Sequence, residues 1–384
     1  MGVANGRPST TPVNALRSTA AAILIALSVA LAGCGTRPGP EVLETVMTVP
    51  DSARQVTVYA VTTRNRVTPD SNVFDAGKAT SANYAEFTVS IPPNHKPSQI
   101  EWPKGKKANP AKDFAVTGQS VLAAASFHDV IHPGKSASRK IGIFVHGYNY
   151  NFQESLFRLA QISHDAKLDR TPILFSWPSQ AAVAGYVADK EAATYSRDYL
   201  AALLIEAAEG RGEGDVAVFG HSMGGWLVVE TLRQIKLQGR DDVLAKLGVI
   251  LAAPDIDEDV FRTQMAVIGR MKQPMTILVS GDDRALAVSK LISASTNRVG
   301  TLNVNDPKVQ QAAIANNVAL IDISQVQPSD SAHHNRFVDL VGLYPSLSAS
   351  NDRDGLRQAG AFVFDAAGAT LSSPFRLVSG ALKQ

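Results

Sequence analysis

The chain has 384 residues, enough for one large domain or two ordinary ones with a sizeable hydrophobic core. Apolar residues make up 45% and charged residues 19%, a balance that is typical of folded globular proteins and excludes a disordered chain. The net charge of +2, without a long lysine–arginine cluster, argues against nucleic-acid binding, and a mean hydropathy of −0.01 excludes a multi-span membrane protein.

Residues 1–33 have the pattern of a bacterial lipoprotein signal peptide. Arg7 and Arg17 supply a positive start without acidic residues, and residues 20–32 form an apolar run too short to span a bilayer comfortably. The run ends on the sequence LAGC, which resembles a lipobox whose cysteine, Cys34, is lipidated and becomes the new N-terminus. An ordinary cleaved signal and an uncleaved short anchor are the alternative interpretations.

Cys34 is the only cysteine in the chain, so it cannot form an internal disulfide. Two or more acyl chains on this residue would give stable membrane anchoring. We therefore expect a lipid-anchored protein of the bacterial cell envelope, facing the periplasm or the exterior, with residues 34–50 as a proline-rich tether. A Cys34→Ala protein that still fractionates with membranes would contradict this expectation.

Residues 51–345 alternate strand-like and helix-like segments, which predicts an α/β fold with a mostly parallel sheet and helices on both faces. Several strand candidates are continuous apolar runs, such as IGIFV and LGVILAA, as expected of strands buried on both faces. The first two candidates are separated by a loop, so we expect them to pair antiparallel at one edge. The strand candidates are residues 56–63, 85–91, 140–145, 172–177, 215–219, 247–252, 275–279 and 318–323.

Helices are predicted between these strands, and one long stretch is left without regular structure. Residues 92–139 show no strong periodicity and are interpreted as long connections. Only one helix fits between the sixth and seventh strands, which leaves no room there for an inserted cap domain. Residues 346–384 form a C-terminal tail with no predicted role. The predicted helices are residues 152–165, 196–209, 225–236, 257–271 and 285–294.

A candidate nucleophile lies in the sequence GHSMG, a G-x-S-x-G motif centred on Ser222. The motif alone is a modest signal, but it lies between a buried strand and an amphipathic helix, the setting of a nucleophile elbow. Glycines are expected at both flanks because the turn is too tight for a Cβ atom there. The alternative is a structural serine in a tight turn.

Such a serine needs oxyanion donors and a base. The strand IGIFV ends in His146, Gly147 and Tyr148, and we expect the backbone N–H groups of Tyr148 and Met223 to form the oxyanion hole. A histidine in this position more often shapes its loop than acts as a base, so His146 is not the favoured base.

The order of the triad along the chain, Ser, Asp, His, directs the search for the base to the end of the sheet. His333 and His334 follow the last strand, and one of them is the predicted base. Carboxylates at strand ends can orient an imidazole across the sheet edge. Asp282 and Asp283, two strands along from the nucleophile, are favoured over Asp255 as the acid. Neither doubled pair is expected to bind a metal, because no further ligands follow at a suitable spacing.

Residues 54–344 resemble a bacterial family within the α/β-hydrolase superfamily whose function is not defined. The resemblance is carried by IFVHGYNYNF, LFSWPS, VFGHSMGG, LAAPDID, SGDDRAL and HHNRF. It implies the α/β-hydrolase fold and a triad, but no substrate. The family's acid precedes a short apolar pair and its histidine lies three residues before an aromatic one, positions that correspond to Asp283 and His334. Asp282 and His333 are the neighbouring alternatives.

These observations predict a serine hydrolase that cleaves an ester, thioester or amide bond of a small-molecule or lipid acyl substrate. No metal or organic cofactor is implied, and the oligomeric state is not indicated. A non-catalytic envelope lipoprotein that uses the fold as a binding scaffold, and an acyltransferase, are the alternatives. Residues 178–197 and the loops before Arg139 are expected to shape the pocket, with Trp177, Tyr186 and Tyr195 in its lining, at its rim or in the core.

Overall fold

The computed structural model describes residues 37–105, 107–132, 140–293, 297–342 and 376–378. The predicted signal peptide, Cys34 and most of the C-terminal tail lie outside these residues. In the part of the chain that is described, no helix is long and apolar enough to cross a membrane.

A mixed sheet of ten strands runs through the described residues. Most of its central strands are the apolar runs identified in the sequence, and β1 and β2 extend well beyond the predicted segments. The strands are β1 Arg54–Arg66, β2 Phe74–Ile91, β3 Ala115–Leu122, β4 Ile141–Val145, β5 Thr171–Ser176, β6 Val216–His221, β7 Leu247–Ala252, β8 Met275–Val279, β9 Val318–Asp322 and β10 Arg376–Val378.

The strand order is β10-β9-β8-β7-β6-β4-β5-β1-β2-β3. The strands from β1 through β5, β4, β6, β7 and β8 to β9 pair in parallel. The predicted antiparallel pairing of β1 with β2 is confirmed, and β3 adds a further antiparallel strand at this edge. At the opposite edge β10, in the C-terminal tail, pairs antiparallel with β9.

Helices cover both faces of the sheet. Between β7 and β8, where every residue is described, α6 is the one helix, in agreement with the predicted absence of a cap domain. The helices are α1 Ala124–Ile131, α2 Phe152–Asp165, α3 Tyr186–Ala208, α4 Met223–Leu237, α5 Asp241–Leu244, α6 Glu258–Ile268, α7 Arg284–Ile292, α8 Pro307–Ala315 and α9 Arg336–Gly342.

The core is divided into two layers by the sheet. In β4, Ile143 and Val145 point to the layer that contains Leu227 of α4, whereas Phe144 points to the layer that contains Leu156 of α2 and Phe337 of α9. Because apolar side chains are buried on both faces, the parallel strands read as continuous apolar runs rather than as alternating patterns. The carboxyl ends of these strands meet at one edge, where the predicted site residues lie.

The interpretation of residues 92–139 as connections was wrong, because this segment contains β3 and α1. β3 is an edge strand whose middle, TGQS, is polar and partly exposed, so it lacks the apolar run of a central strand. α1 has only eight residues and no side-chain cap. Edge strands and short helices are stabilised mainly by tertiary packing, so the local sequence pattern predicts them poorly.

The predicted tether, residues 34–50, is shorter than expected. Pro40–Leu43 forms a 3₁₀ turn in which Val42 and Leu43 are buried, and Val46 N–H donates to Val116 O at 2.9 Å. The chain therefore packs against β3 from residue 40 onwards. The helix predicted at residues 196–209 likewise begins earlier, at Tyr186, so most of residues 178–197, which were expected to shape the pocket, are helical.

Candidate active site

The predicted nucleophile lies at a sharp turn between β6 and α4. Ser222 has φ 53° and ψ −122°, a backbone region that residues with a side chain rarely adopt and that costs about 1–3 kcal/mol. Hydrogen bonds hold the turn in place. Ser222 N–H donates to Ala252 O at 2.9 Å, and Ser222 O accepts from Gly225 N–H at 2.9 Å. This strand–turn–helix geometry is that of a nucleophile elbow.

Glycine is required at both flanks of Ser222, as the motif predicted. A Cβ atom on Gly224 would lie 2.3 Å from His146 O, and one on Gly220 would lie 2.8 Å from the Cα atom of Gly225. Both neighbours are backbone atoms that cannot move aside without distorting the sheet or the helix. The elbow is therefore packed directly against the end of β4.

The predicted oxyanion donors flank Ser222. A Cβ atom on Gly147 would lie 3.0 Å from Ser222 Cβ, so the loop that follows β4 touches the elbow, and Tyr148 is the next residue of that loop. Met223 is the first residue of α4, a position whose backbone N–H has no acceptor within the helix. Their role as the oxyanion hole stays a prediction.

His146 is held in the core beside this loop. Burial lowers its pKa to about 3, and the charge of Arg64 acts in the same direction. The ring stacks on Trp177 with 4.8 Å between centroids. A neutral ring can donate from Nδ1 to Gly147 O, at 2.8 Å, and accept at Nε2 from the Ser176 hydroxyl, at 3.2 Å. Both nitrogens are occupied, which suits a residue that shapes the loop.

Two buried charged residues that the sequence analysis missed support the same loop. Arg64 donates to Tyr150 O at 2.8 Å, and Asp189 accepts from Asn149 N–H at 3.3 Å and from the Ser179 hydroxyl at 2.6 Å. They hold the loop after β4 against the loop after β5. Arg64 lies in the polar end of β1 and Asp189 in the first turn of α3, so neither carries a sequence signal that separates it from a surface residue.

The two aspartates and the two histidines form two parallel pairs. His334 Nδ1 lies 2.7 Å from Asp283 Oδ2, and His333 Nδ1 lies 2.9 Å from Asp282 Oδ2. Both pairs join the loop after β8 to the loop after β9. The two pairs differ in solvent exposure: the Asp283 side chain is 0% exposed, whereas the Asp282 side chain is 50% exposed.

The Asp283–His334 pair lies beside the elbow. The ring centroid of His334 is 4.7 Å from that of His221, the residue before Ser222, and His221 Nε2 is 3.4 Å from His334 O. Burial lowers the pKa of His334, but the hydrogen bond and charge of Asp283 outweigh it and the net pKa is raised. Within the described residues no hydrogen bond joins the His334 ring to Ser222 Oγ.

Local hydrogen bonds fix both members of this pair. Asp283 is the N-cap residue of α7, and its Oδ1 accepts from Leu286 N–H at 2.9 Å, which leaves Oδ2 for the imidazole. Asp330 accepts from the backbone N–H groups of His334 and Asn335, at 3.2 and 2.8 Å. The N-terminus of α7 thus orients Asp283. Hydrogen bonds from its own loop to Asp330 orient His334.

In the other pair, Asp282–His333, the aspartate also binds Arg336, a residue that the sequence did not single out. Arg336 donates to both oxygens of Asp282, from Nη2 at 2.7 Å and from Nη1. This bidentate contact is the main cause that holds the pKa of Asp282 well below its usual range. His333 has φ 58°, a left-handed conformation. The charge of Asp282 is therefore already matched by a partner other than His333.

Asp255, the alternative acid, lies beside the elbow, and its carboxylate is held in a buried network that does not include His334. Its Oδ1 accepts from the Ser289 hydroxyl at 2.5 Å and lies 3.2 Å from Arg298 Nε, and its Oδ2 accepts from the Tyr186 hydroxyl at 2.8 Å. Its backbone N–H donates to Ser222 O at 3.1 Å. The negative charge of this carboxylate contributes to raising the pKa of His334, whereas its side-chain hydrogen bonds are made with Ser289 and Tyr186.

The three aromatic residues considered for the pocket differ in position. Trp177 is fully buried behind the elbow, and its Nε1–H donates to His146 O at 2.8 Å. Tyr195 donates to Ala79 O at 2.5 Å, on the β2 side of the sheet. Tyr186 is the one of the three that is joined to the site, through its hydrogen bond to Asp255.

A cavity of about 400 Å³ lies between α6 and α8, and its lining contains none of the predicted site residues.

The sheet order and the serine elbow define the chain as an α/β-hydrolase. Residues 123–351, more than half of the chain, match the family described as "Alpha/beta hydrolase of unknown function (DUF900)". The chain belongs to this family, which supports a hydrolase and leaves the substrate undefined. No curated protein matches the chain.

Two solved structures are distantly similar. A presumed hydrolase from Agrobacterium vitis S4 is 14% identical, with a TM-score of 0.28, over 67% of this chain and 93% of that one. An esterase from the fungus Rhizomucor miehei is 11% identical, with a TM-score of 0.26, over 70% of this chain and 82% of that one. Likenesses this distant say nothing about the substrate.

Proposed function

We propose that the protein is a serine hydrolase that cleaves an ester, thioester or amide bond through an acyl-enzyme on Ser222. The observation that carries the proposal is a serine in a strained elbow beside a buried Asp283–His334 pair. A strained backbone persists only where the surrounding structure maintains it, and such residues cluster at active sites. This favours a hydrolase over a binding scaffold, for which a relaxed turn would serve equally well.

In the proposed mechanism, Asp283 holds the Nδ1–H group of His334, so that Nε2 is the basic nitrogen. Ser222 attacks the acyl carbonyl while His334 takes its proton. The backbone N–H groups of Tyr148 and Met223 stabilise the oxyanion, and His334 then protonates the leaving group. Water, activated by the same histidine, hydrolyses the acyl-enzyme and restores Ser222.

Labelling with a fluorophosphonate probe tests the nucleophile. The folded protein should be labelled stoichiometrically, with the adduct mapped to Ser222 by mass spectrometry, because only an activated serine attacks the phosphorus. Ser222→Ala is the control and should not be labelled. Folded wild-type protein that resists the probe would refute the serine mechanism.

The pH dependence tests the base. Because His334 must be neutral to take a proton and its pKa is raised, kcat/KM should increase with pH through an apparent pKa above the usual 6.5 of histidine. Removing the negative charge in Asp283→Asn should move this apparent pKa downwards. An acidic limb below pH 6.5 in the wild-type protein, or one that Asp283→Asn leaves in place, would argue against His334.

We also propose that the reaction takes place at the membrane of the bacterial cell envelope. Cys34 lies outside the described residues, and the signal sequence ahead of it predicts a lipid anchor in the bacterial envelope. An acyl substrate at or near the membrane surface would then be within reach. An acyltransferase differs only in that an alcohol or amine replaces water, so products formed with such an acceptor present distinguish the two reactions.

A further inference from the structure

Two histidines and a glutamate meet where α1 ends against the last turn of α3. His128 lies in the last turn of α1 and His132 directly follows that helix, so the i, i+4 spacing brings both to one side. Their ring centroids are 4.5 Å apart. Glu206 of α3 faces them, with its Oε1 3.0 Å from His128 Nδ1. One donor atom from each of the three residues lies within 4.8 Å of the other two.

One of these donor groups is unsatisfied. Within the described residues, the Nε2 atom of His132 is buried without a hydrogen-bond partner. A buried polar atom without a partner destabilises the folded state, so native structures rarely contain one. An unpaired ring nitrogen beside a second imidazole and a carboxylate is an arrangement that a metal ion could complete.

We propose that His128, His132 and Glu206 bind a Zn²⁺ ion. Imidazole nitrogens and a carboxylate oxygen are ligands that zinc prefers, and three protein ligands leave a fourth tetrahedral position for water. The small separation of the donor atoms means that modest side-chain rotations would bring them to zinc-bonding distances.

A second cluster of similar composition lacks the unsatisfied nitrogen. His95 is bonded through both ring nitrogens, from Nδ1 to Glu101 and from Nε2 to Asp165, each at 2.8 Å. Asp165 also accepts from Ser98 N–H at 2.8 Å, and His164 completes the cluster. A charged His95 between two carboxylates satisfies this network without a metal. It supplies a matched control for the experiment.

The proposed zinc site lies far from the hydrolase site. Tyr186, at the start of α3, is bonded to Asp255 beside the elbow. Glu206 is 206 − 186 = 20 residues further along the same helix, about 30 Å at 1.5 Å per residue. An ion at this distance joins α1 to α3 and stabilises the fold. It takes no part in the proposed acyl chemistry.

Zinc titration of the purified full-length protein tests the proposal, with Zn²⁺ alone as the probe and competition against a chromogenic chelator as the readout. The wild-type protein should bind one Zn²⁺ ion that His132→Ala binds at least about 100-fold more weakly, since a ligand contributes no less than the outer-shell groups that change affinity 10–100-fold. His164→Ala should keep the wild-type affinity. Zn²⁺ should raise the melting temperature of the wild-type protein and of His164→Ala only.

Glu206→Gln keeps the shape of the side chain and one acceptor oxygen for His128, but it removes the negative charge of the proposed ligand. It should also bind Zn²⁺ more weakly, and it replaces His132→Ala in the comparison if that variant does not melt cooperatively. Equal zinc affinity in the wild-type protein and Glu206→Gln would overturn the proposal. So would a loss of affinity in His164→Ala, because the ion would then belong to the second cluster.

Discussion

Replacing His334 with alanine should lower kcat by about 10⁶-fold on any substrate that the protein turns over well, the loss known for the histidine of a serine triad. The serine hydroxyl is a weak nucleophile until a base takes its proton. Among the two adjacent histidines, His334 has the buried carboxylate partner and the contact with His221 at the elbow. Steady-state kinetics of the purified variants give the measurement.

His333→Ala is the matched control, because it removes the same atoms one residue away. It loses a hydrogen bond to Asp282, which keeps its bidentate contact with Arg336, so kcat should change little. Thermal unfolding of both variants shows whether each is folded. If His333→Ala is the inactive variant and His334→Ala is active, the base has been assigned to the wrong histidine.

The second large effect is expected at Asp283, where Asp283→Asn should lower kcat by about 10⁴-fold with little change in KM. The amide has the shape of the carboxylate and can still cap α7 through its oxygen. Its NH₂ group, however, would face Nδ1 of His334 and favour the tautomer that carries the proton on Nε2. That tautomer cannot accept the proton of Ser222.

Asp282→Asn provides the comparison for this substitution. Its side chain is half exposed and bonded to Arg336, so the change should affect stability more than turnover. Near-normal kcat in Asp283→Asn would require a different acid. A 10⁴-fold loss in Asp282→Asn or Asp255→Asn would then identify it.

The central strands were predictable because their environment is uniform. β4, β6, β7 and β8 are buried on both faces, and such a strand needs a run of apolar residues whatever its neighbours are. α2 was also predictable to the residue, since Asn151 and Glu154 form a capping box ahead of an amphipathic run. In these elements the local pattern and the global fold require the same residues.

The elements and residues that the sequence did not predict depend on tertiary contacts rather than on local pattern. Among the described strands β3 pairs with β2 alone, and its polar middle is acceptable because it lies at an edge. The first turns of α3, YVADKEAA, combine small and charged residues and bury only some of them, so no periodic apolar face marks where the helix starts. Arg64, Asp189 and Arg336 look like surface charges in the sequence. Only the packing of distant segments around them makes them supports of the candidate site.

The elbow could be read from the sequence because its requirements are local: a buried strand, glycines where a Cβ atom would strike the backbone, and a helix that starts at the next residue. The doubled residues could not be assigned in this way, since Asp282 and Asp283 are equivalent as letters, as are His333 and His334. Their partners differ in three dimensions, where the N-cap position buries Asp283 and Arg336 binds Asp282. Burial and pairing depend on segments about fifty residues apart, a distance over which local sequence pattern carries no information.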